Sequence, residues 1–136
     1  NKLFNIVDES YNSNPSSLEF AINNFDKINV NSKNKNILLG DMLELGKSSK
    51  KLHKEAAKIV NKSKINKVFV YGKDIEETFN KIKTQKKGKI LNSKKEILNL
   101  MRNDLRNNDY LMVKGSNATG LSEIISKIKL GQLNAL

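Results

Sequence analysis

The sequence predicts an α/β domain in which a mostly parallel sheet carries helices on both faces. Three observations predict it. Short, strand-length apolar runs alternate with segments of helical periodicity from end to end of the chain. The runs are apolar on both sides, as strands covered on two faces must be. No linker, low-complexity stretch or repeat beyond the alternation interrupts the pattern, and 136 residues suit one domain, residues 1–136. Together these describe a Rossmann-like three-layer sandwich.

The elements follow in order. Leu3-Phe4-Asn5-Ile6-Val7 reads as a buried strand. Asn14-Pro15 opens a helix, because Asn is a good N-cap and Pro loses nothing in the first turn. Leu18, Ala21, Ile22, Phe25 and Ile28 then recur at helical spacing. Asn36-Ile37-Leu38-Leu39 is the second strand and ends at Gly40-Asp41. Leu52, Ala56, Ile59 and Val60 mark the next helix. Val68-Phe69-Val70-Tyr71 is the third strand and stops at Gly72; Ile75, Phe79 and Ile82 make a short helix after it. Lys89-Ile90-Leu91 is the fourth strand. Ser93 and Glu96 form a capping-box signature for a helix carrying Ile97, Leu98, Met101 and Leu105. Tyr110-Leu111-Met112-Val113 is the fifth strand. The last helix carries Leu121, Ile124, Ile125 and Ile128, and the residues after Leu130 read as a frayed tail.

Composition removes several function classes. The absence of cysteine excludes disulfides, zinc–thiolate sites and thiol nucleophiles. No apolar run approaches the ~20 residues that span a bilayer. The first residues run straight into a strand rather than a signal peptide, and no initiator Met precedes them, so a fragment of a longer cytoplasmic protein is expected. The net charge of +11 raises nucleic-acid binding. Against it, lysines are scattered over every helix and loop, Arg is confined to Arg102 and Arg106, and no aromatics interleave with them. A solvated lysine-rich surface, with no specific nucleic-acid or membrane partner, is the expectation.

In such sheets ligands sit at the carboxyl ends of the strands, so Asp8, Gly40, Gly72 and Lys114 should share one edge. Asp8-Glu9-Ser10-Tyr11-Asn12-Ser13-Asn14 gathers two carboxylates, a phenol, two amides and two hydroxyls. Carboxylates there could hold ribose hydroxyls and Tyr11 could stack on a base; an Asx-turn with an N-cap would also explain Asn14 and Asn12. Asp41 and Glu44 could hold a cation or an amine, or belong to a tight turn pinned by Leu43 and Leu45. Lys114-Gly115-Ser116-Asn117-Ala118-Thr119-Gly120 is neither a Walker A loop nor a dinucleotide glycine motif, but its backbone could cradle an anion with Lys114 as counter-charge. His53, the single histidine, lies amid lysines and reads as a surface residue.

Three segments resemble the C-terminal domain of the Mur ligases, in the branch that adds D-alanyl-D-alanine. Asp8-Glu9-Ser10-Tyr11-Asn12-Ser13-Asn14-Pro15 is similar to that branch's Asp-Asp-Ser-Tyr-Asn-Ala-Asn-Pro. Gly40-Asp41-Met42-Leu43-Glu44-Leu45-Gly46 is identical to its stretch, and Val113-Lys114-Gly115-Ser116 matches its Val-Lys-Gly-Ser. Glu9 stands where Asp is usual, and Asn117-Ala118-Thr119-Gly120 where Arg-Ser is usual. The resemblance implies the last domain of a three-domain enzyme, with the N-terminal and central domains outside this chain. It implies an ATP-dependent ligase joining D-alanyl-D-alanine to UDP-N-acetylmuramoyl-tripeptide through an acyl phosphate, in peptidoglycan precursor synthesis. Magnesium and most of the ATP would be held by the central domain. Asp8, Glu9, Tyr11, Asn12 and Asn14 would contact the nucleotide; Lys114, Gly115 and Ser116 the amino substrate. No catalytic or metal-ligating residue is expected here, and the chain alone should be inactive. Replacing Asp8 should weaken ATP use while barely moving the melt. The competing readings are a free-standing Rossmann-like nucleotide-binding module, another Mur-family amino-acid ligase domain and a basic nucleic-acid-binding domain.

Overall fold

The computed structural model describes residues 4–28, 34–116 and 119–129. Five strands form one sheet in the order β1-β5-β2-β3-β4, and every neighbouring pair is parallel. They are β1 (Asn5–Glu9), β2 (Lys35–Gly40), β3 (Lys67–Tyr71), β4 (Lys87–Leu91) and β5 (Tyr110–Lys114). The helices are α1 (Pro15–Asp26), α2 (Ser49–Lys62), α3 (Glu76–Lys81), α4 (Lys94–Asn99) and α5 (Leu121–Lys129).

Two cores result, one on each face. Side chains from α1, α2 and α3 meet Ile37, Leu39, Val68, Val70 and Met112. Side chains from α4 and α5 meet Leu38, Phe69, Leu111 and Val113. The period of two along each strand sends neighbouring residues to opposite cores. The partition follows from crossover handedness. Three crossovers, β1 to β2, β2 to β3 and β3 to β4, run the same way along the sheet and lie on one face. The return from β4 to β5 runs the other way, so α4 lies on the opposite face.

Local chemistry explains the helix boundaries. Asn14 caps α1: its Oδ1 accepts from Ser17 N at 2.9 Å, and Ser17 Oγ accepts from Asn14 N at 3.0 Å. At α4, Ser93 Oγ accepts from Glu96 N at 3.2 Å, but Glu96 Oε2 returns to Asn92 N at 2.6 Å, one residue before the cap. The helix then widens into a π segment, Leu100–Asp104, closed by Leu105 N donating to Leu100 O at 3.0 Å. Leu100 and Met101 are both buried, on the face that Ile97 begins at i, i+3 and i+4 spacing.

Several expectations need correction. The first strand is Asn5–Glu9 rather than Leu3–Val7, so Asp8 and Glu9 lie in the strand and pair with Val113 and Lys114. Lys114 likewise ends β5 rather than opening a loop. Ile28 lies beyond the end of α1, and Leu105 beyond the π segment, yet both pack on a core. Leu3, Asn117, Ala118 and the tail after Leu130 lie outside the described residues.

Candidate functional site

The strand registers bring the expected loops to one edge. Glu9 pairs with Lys114, Lys114 with Leu39, and Gly40 with Tyr71, so β1, β5, β2 and β3 end together. Chain reversal occurs here as well. The loop after β1 leads to α1 on one face, while that after adjacent β5 leads to α5 on the other. A crevice opens where neighbouring connections diverge in this way.

Asp8 and Glu9 leave β1 on opposite faces, since Ile6 packs toward the α4–α5 core and Val7 toward the other. Asp8 Oδ1 accepts from Ser10 N at 3.0 Å and also from Ser10 Oγ, and Ser10 is buried. Asp8 is half-buried and belongs to neither core, as expected, but its carboxylate also holds the turn that leaves β1. Glu9 Oε2 accepts from Tyr11 OH at 3.4 Å, and Tyr11 is 63% exposed. Asn14 spends its side-chain oxygen on the cap of α1, taking bonds from Ser17 N and from Ser16 Oγ at 3.0 Å.

Lys114 and Ser116 tie this loop to the sheet. Lys114 is 3% exposed, and its Nζ donates to Asn12 O. Burial lowers its pKa from the ordinary lysine value, and neighbouring Glu9 partly opposes the shift. Ser116 makes three loops one body. Its Oγ donates to Ser13 O at 3.3 Å and accepts from Leu43 N at 2.8 Å, and its N–H donates to Asp41 O at 3.0 Å. Gly115 lets β5 close on β2: a Cβ there would stand 3.2 Å from Gly40 Cα and 3.1 Å from Leu121 Cδ1.

His53 is fully buried, not a surface residue. Its Nε2 accepts from Met42 N at 3.0 Å, so the ring is neutral and its proton sits on Nδ1, 2.7 Å from Ser49 O. Asp41 Oδ1 accepts from Ile75 N at 2.8 Å. The 41–43 backbone is thus tied to α2, to the loop after β5 and, through Asp41, to the start of α3. The turn beyond it holds Glu44 at φ +62, a left-handed conformation that costs a glutamate roughly 1–2 kcal/mol.

A hollow of about 490 Å³ lies over this frame, lined by Tyr11, Asn12, Ser13, Asn14, Leu43, Glu44, Leu45 and Ser116. Of the residues expected to bind ligands, Tyr11, Asn12, Asn14 and Ser116 meet here. Lys114 and Gly115 belong to the framework beside it, and Asp8 and Glu9, at the end of β1, are not among its lining residues. Ser13, Leu43, Leu45 and the bracing His53 were not read as site residues. Among the described residues no group of three His, Cys, Asp or Glu gathers where it could hold a metal ion. No helix of the described residues is long and apolar enough to cross a membrane.

Fold and edge define a Rossmann-like α/β domain with a crevice at the strand ends built from the loops after β1, β2 and β5. The chain belongs to the Mur ligase family: the family model described as "Mur ligase, glutamate ligase domain" matches residues 2–117. The UDP-N-acetylmuramoyl-tripeptide–D-alanyl-D-alanine ligase of Bacillus subtilis is 31% identical over 126 residues, covering 90% of this chain and 27% of that protein. The ligase of the same name from Buchnera aphidicola of Baizongia pistaciae is 33% identical over 130 residues, 94% of this chain and 27% of its own. The chain therefore spans about a quarter of these relatives' length. The MurF ligase of Thermotoga maritima, crystallised with ADP, superimposes with a TM-score of 0.74 at 23% identity, over 96% of this chain and 29% of that one. A MurF structure from Acinetobacter baumannii does so with 0.76 at 18% identity, over 98% of this chain and 29% of that one.

Proposed function

We propose that the chain is the C-terminal domain of a cytoplasmic, ATP-dependent ligase that joins D-alanyl-D-alanine to UDP-N-acetylmuramoyl-tripeptide. The observation that carries this reading is the convergence of the three family-like segments, 8–15, 40–46 and 113–116, on one crevice at the sheet edge. The relatives' names supply the reaction. In it the tripeptide carboxylate takes the γ-phosphoryl group of ATP and ADP leaves. The amine of D-alanyl-D-alanine then attacks the acyl carbon, losing a proton as phosphate departs. Such chemistry rests mainly on positioning and on charge neutralisation at phosphate.

This domain's share is positioning. No Walker A lysine is present in the sequence, so the β- and γ-phosphates and magnesium fall to the rest of the enzyme. The carboxylates at the end of β1, Asp8 and Glu9, supply the ribose acceptor, and the exposed Tyr11 ring with Asn12 faces the base. Lys114 acts behind the site: by holding Asn12 O it keeps the nucleotide loop in place.

Steady-state kinetics of the full-length enzyme test the reading, with ATP varied for Asp8→Asn and Glu9→Gln. The side chain that bonds the ribose should, when replaced, raise the KM for ATP about 5- to 100-fold. Unchanged ATP dependence in both variants would remove the nucleotide role from this strand end.

A further inference from the structure

We propose that Glu44 is a specificity-determining residue for the incoming amine: its carboxylate receives the ammonium group of the amino substrate in the hollow between the loops after β1 and β2. The inference rests on the ligase reading and deepens it.

Charge is the first argument. The chain carries 25 Lys and Arg against 14 Asp and Glu. Yet Glu44 is the one charged side chain among the eight that line the hollow, the others being Tyr11, Asn12, Ser13, Asn14, Leu43, Leu45 and Ser116. A lone carboxylate in a neutral hollow attracts a cation and repels phosphate. One carboxylate beside amides and hydroxyls is a poor metal site. A hollow of about 490 Å³ with aliphatic walls from Leu43 and Leu45 fits a small organic ammonium compound.

Availability is the second. Glu44 is exposed, and among the described residues its carboxylate has neither a hydrogen-bond nor an ion-pair partner. The third is placement. Of the described residues only Glu44 and Asn108 among the non-glycines have positive φ, and Asn tolerates that conformation far better than Glu. The preceding backbone is over-determined by His53 and Ser116, through Met42 N, Leu43 N and Asp41 O. Strain persists where the surroundings enforce it, and such positions cluster at ligand sites. The Tyr11–Asn12 wall of the hollow then serves the nucleoside, and the Leu43–Glu44 wall the amine.

Two variants separate ligand binding from turn formation. Glu44→Gln removes the charge and keeps the strained side chain. Glu44→Gly removes the carboxylate and relieves the strain. In the full-length enzyme, with D-alanyl-D-alanine varied, both should raise its KM about tenfold or more. The KM for ATP should stay within about twofold, and the melting temperature of Glu44→Gly should hold or rise by a few degrees. An unchanged amine KM in Glu44→Gln overturns the proposal, as does a rise confined to the KM for ATP. So does a Glu44→Gly enzyme whose melting temperature falls, because Glu44 would then be a structural contact. A wild-type enzyme that forms no product from these substrates overturns the ligase reading, and this proposal with it; an active one with an unchanged Glu44→Gln overturns this proposal alone.

Discussion

Replacing His53 by leucine should destabilise the 136-residue chain by about 2–4 kcal/mol. The imidazole is fully buried and Met42, whose N–H it accepts, is 1% exposed. Leucine fills similar space but cannot accept, so a buried N–H is left without a partner, at about 1–3 kcal/mol. The Nδ1–H donation to Ser49 O goes as well, adding roughly 0.5–1.5 kcal/mol. Unfolding entropy of about 2.1 cal/mol/K per residue gives about 0.29 kcal/mol per degree for 136 residues, so the melting temperature should fall by about 7–14 °C. His53→Gln retains an oxygen that can reach Met42 N–H and should recover about half the loss. Thermal unfolding followed by far-UV circular dichroism, at one pH for all three proteins, measures both effects. A leucine variant that melts within about 1 °C of wild type would show that His53 does not brace the 41–45 turn, and the reasoning built on that bracing would fall.

Gly72→Ala should be comparably severe. Gly72 has φ +138, and an added Cβ would stand 2.5 Å from Asp41 Oδ1, the atom that accepts from Ile75 N. Backbone strain of about 1–3 kcal/mol and loss of that bond should lower the melting temperature by on the order of 10 °C, whereas a fall under about 3 °C would contradict the crowding. For Lys114 the pH dependence has a definite sign. Burial lowers its folded pKa below the ordinary 10.5, so the unfolded chain binds the proton more tightly. Wild-type stability should therefore rise relative to Lys114→Met as pH climbs through the window just below 10.5. Urea midpoints of the two proteins across that window check it, and parallel slopes would show that Lys114 titrates as in the unfolded chain.

Local pattern made much of this protein legible in its sequence. Strand and helix periods, the Asn14 cap and the glycines ending β2 and β3 depend on neighbours a few residues apart, and the structure keeps them. The grouping of Asp8, Gly40, Gly72 and Lys114 at one edge followed because parallel strands end together. One signal was present but misread: His53, Ala56, Ala57 and Val60 fall at helical spacing on the buried face of α2, so the histidine belonged to the core stripe despite its lysine neighbours. Polarity likewise disguised Asp8, Glu9 and Lys114 as loop residues, although their backbones complete the β1–β5 ladder.

The sequence by itself determined the alternation of elements, the α/β class and the three loop motifs, because each is written in spacings shorter than about two helical turns. Tertiary structure alone decided that β5 inserts between β1 and β2, that α4 and α5 take the opposite face, and that Ser116 reaches Ser13 and Leu43 across 103 and 73 residues. The reason is physical. Periodicity says which side of an element is apolar, but the partner for that side is chosen by crossover handedness and packing among strands far apart in the chain. The hollow, and the isolation of Glu44's charge within it, exist only once that choice has been made.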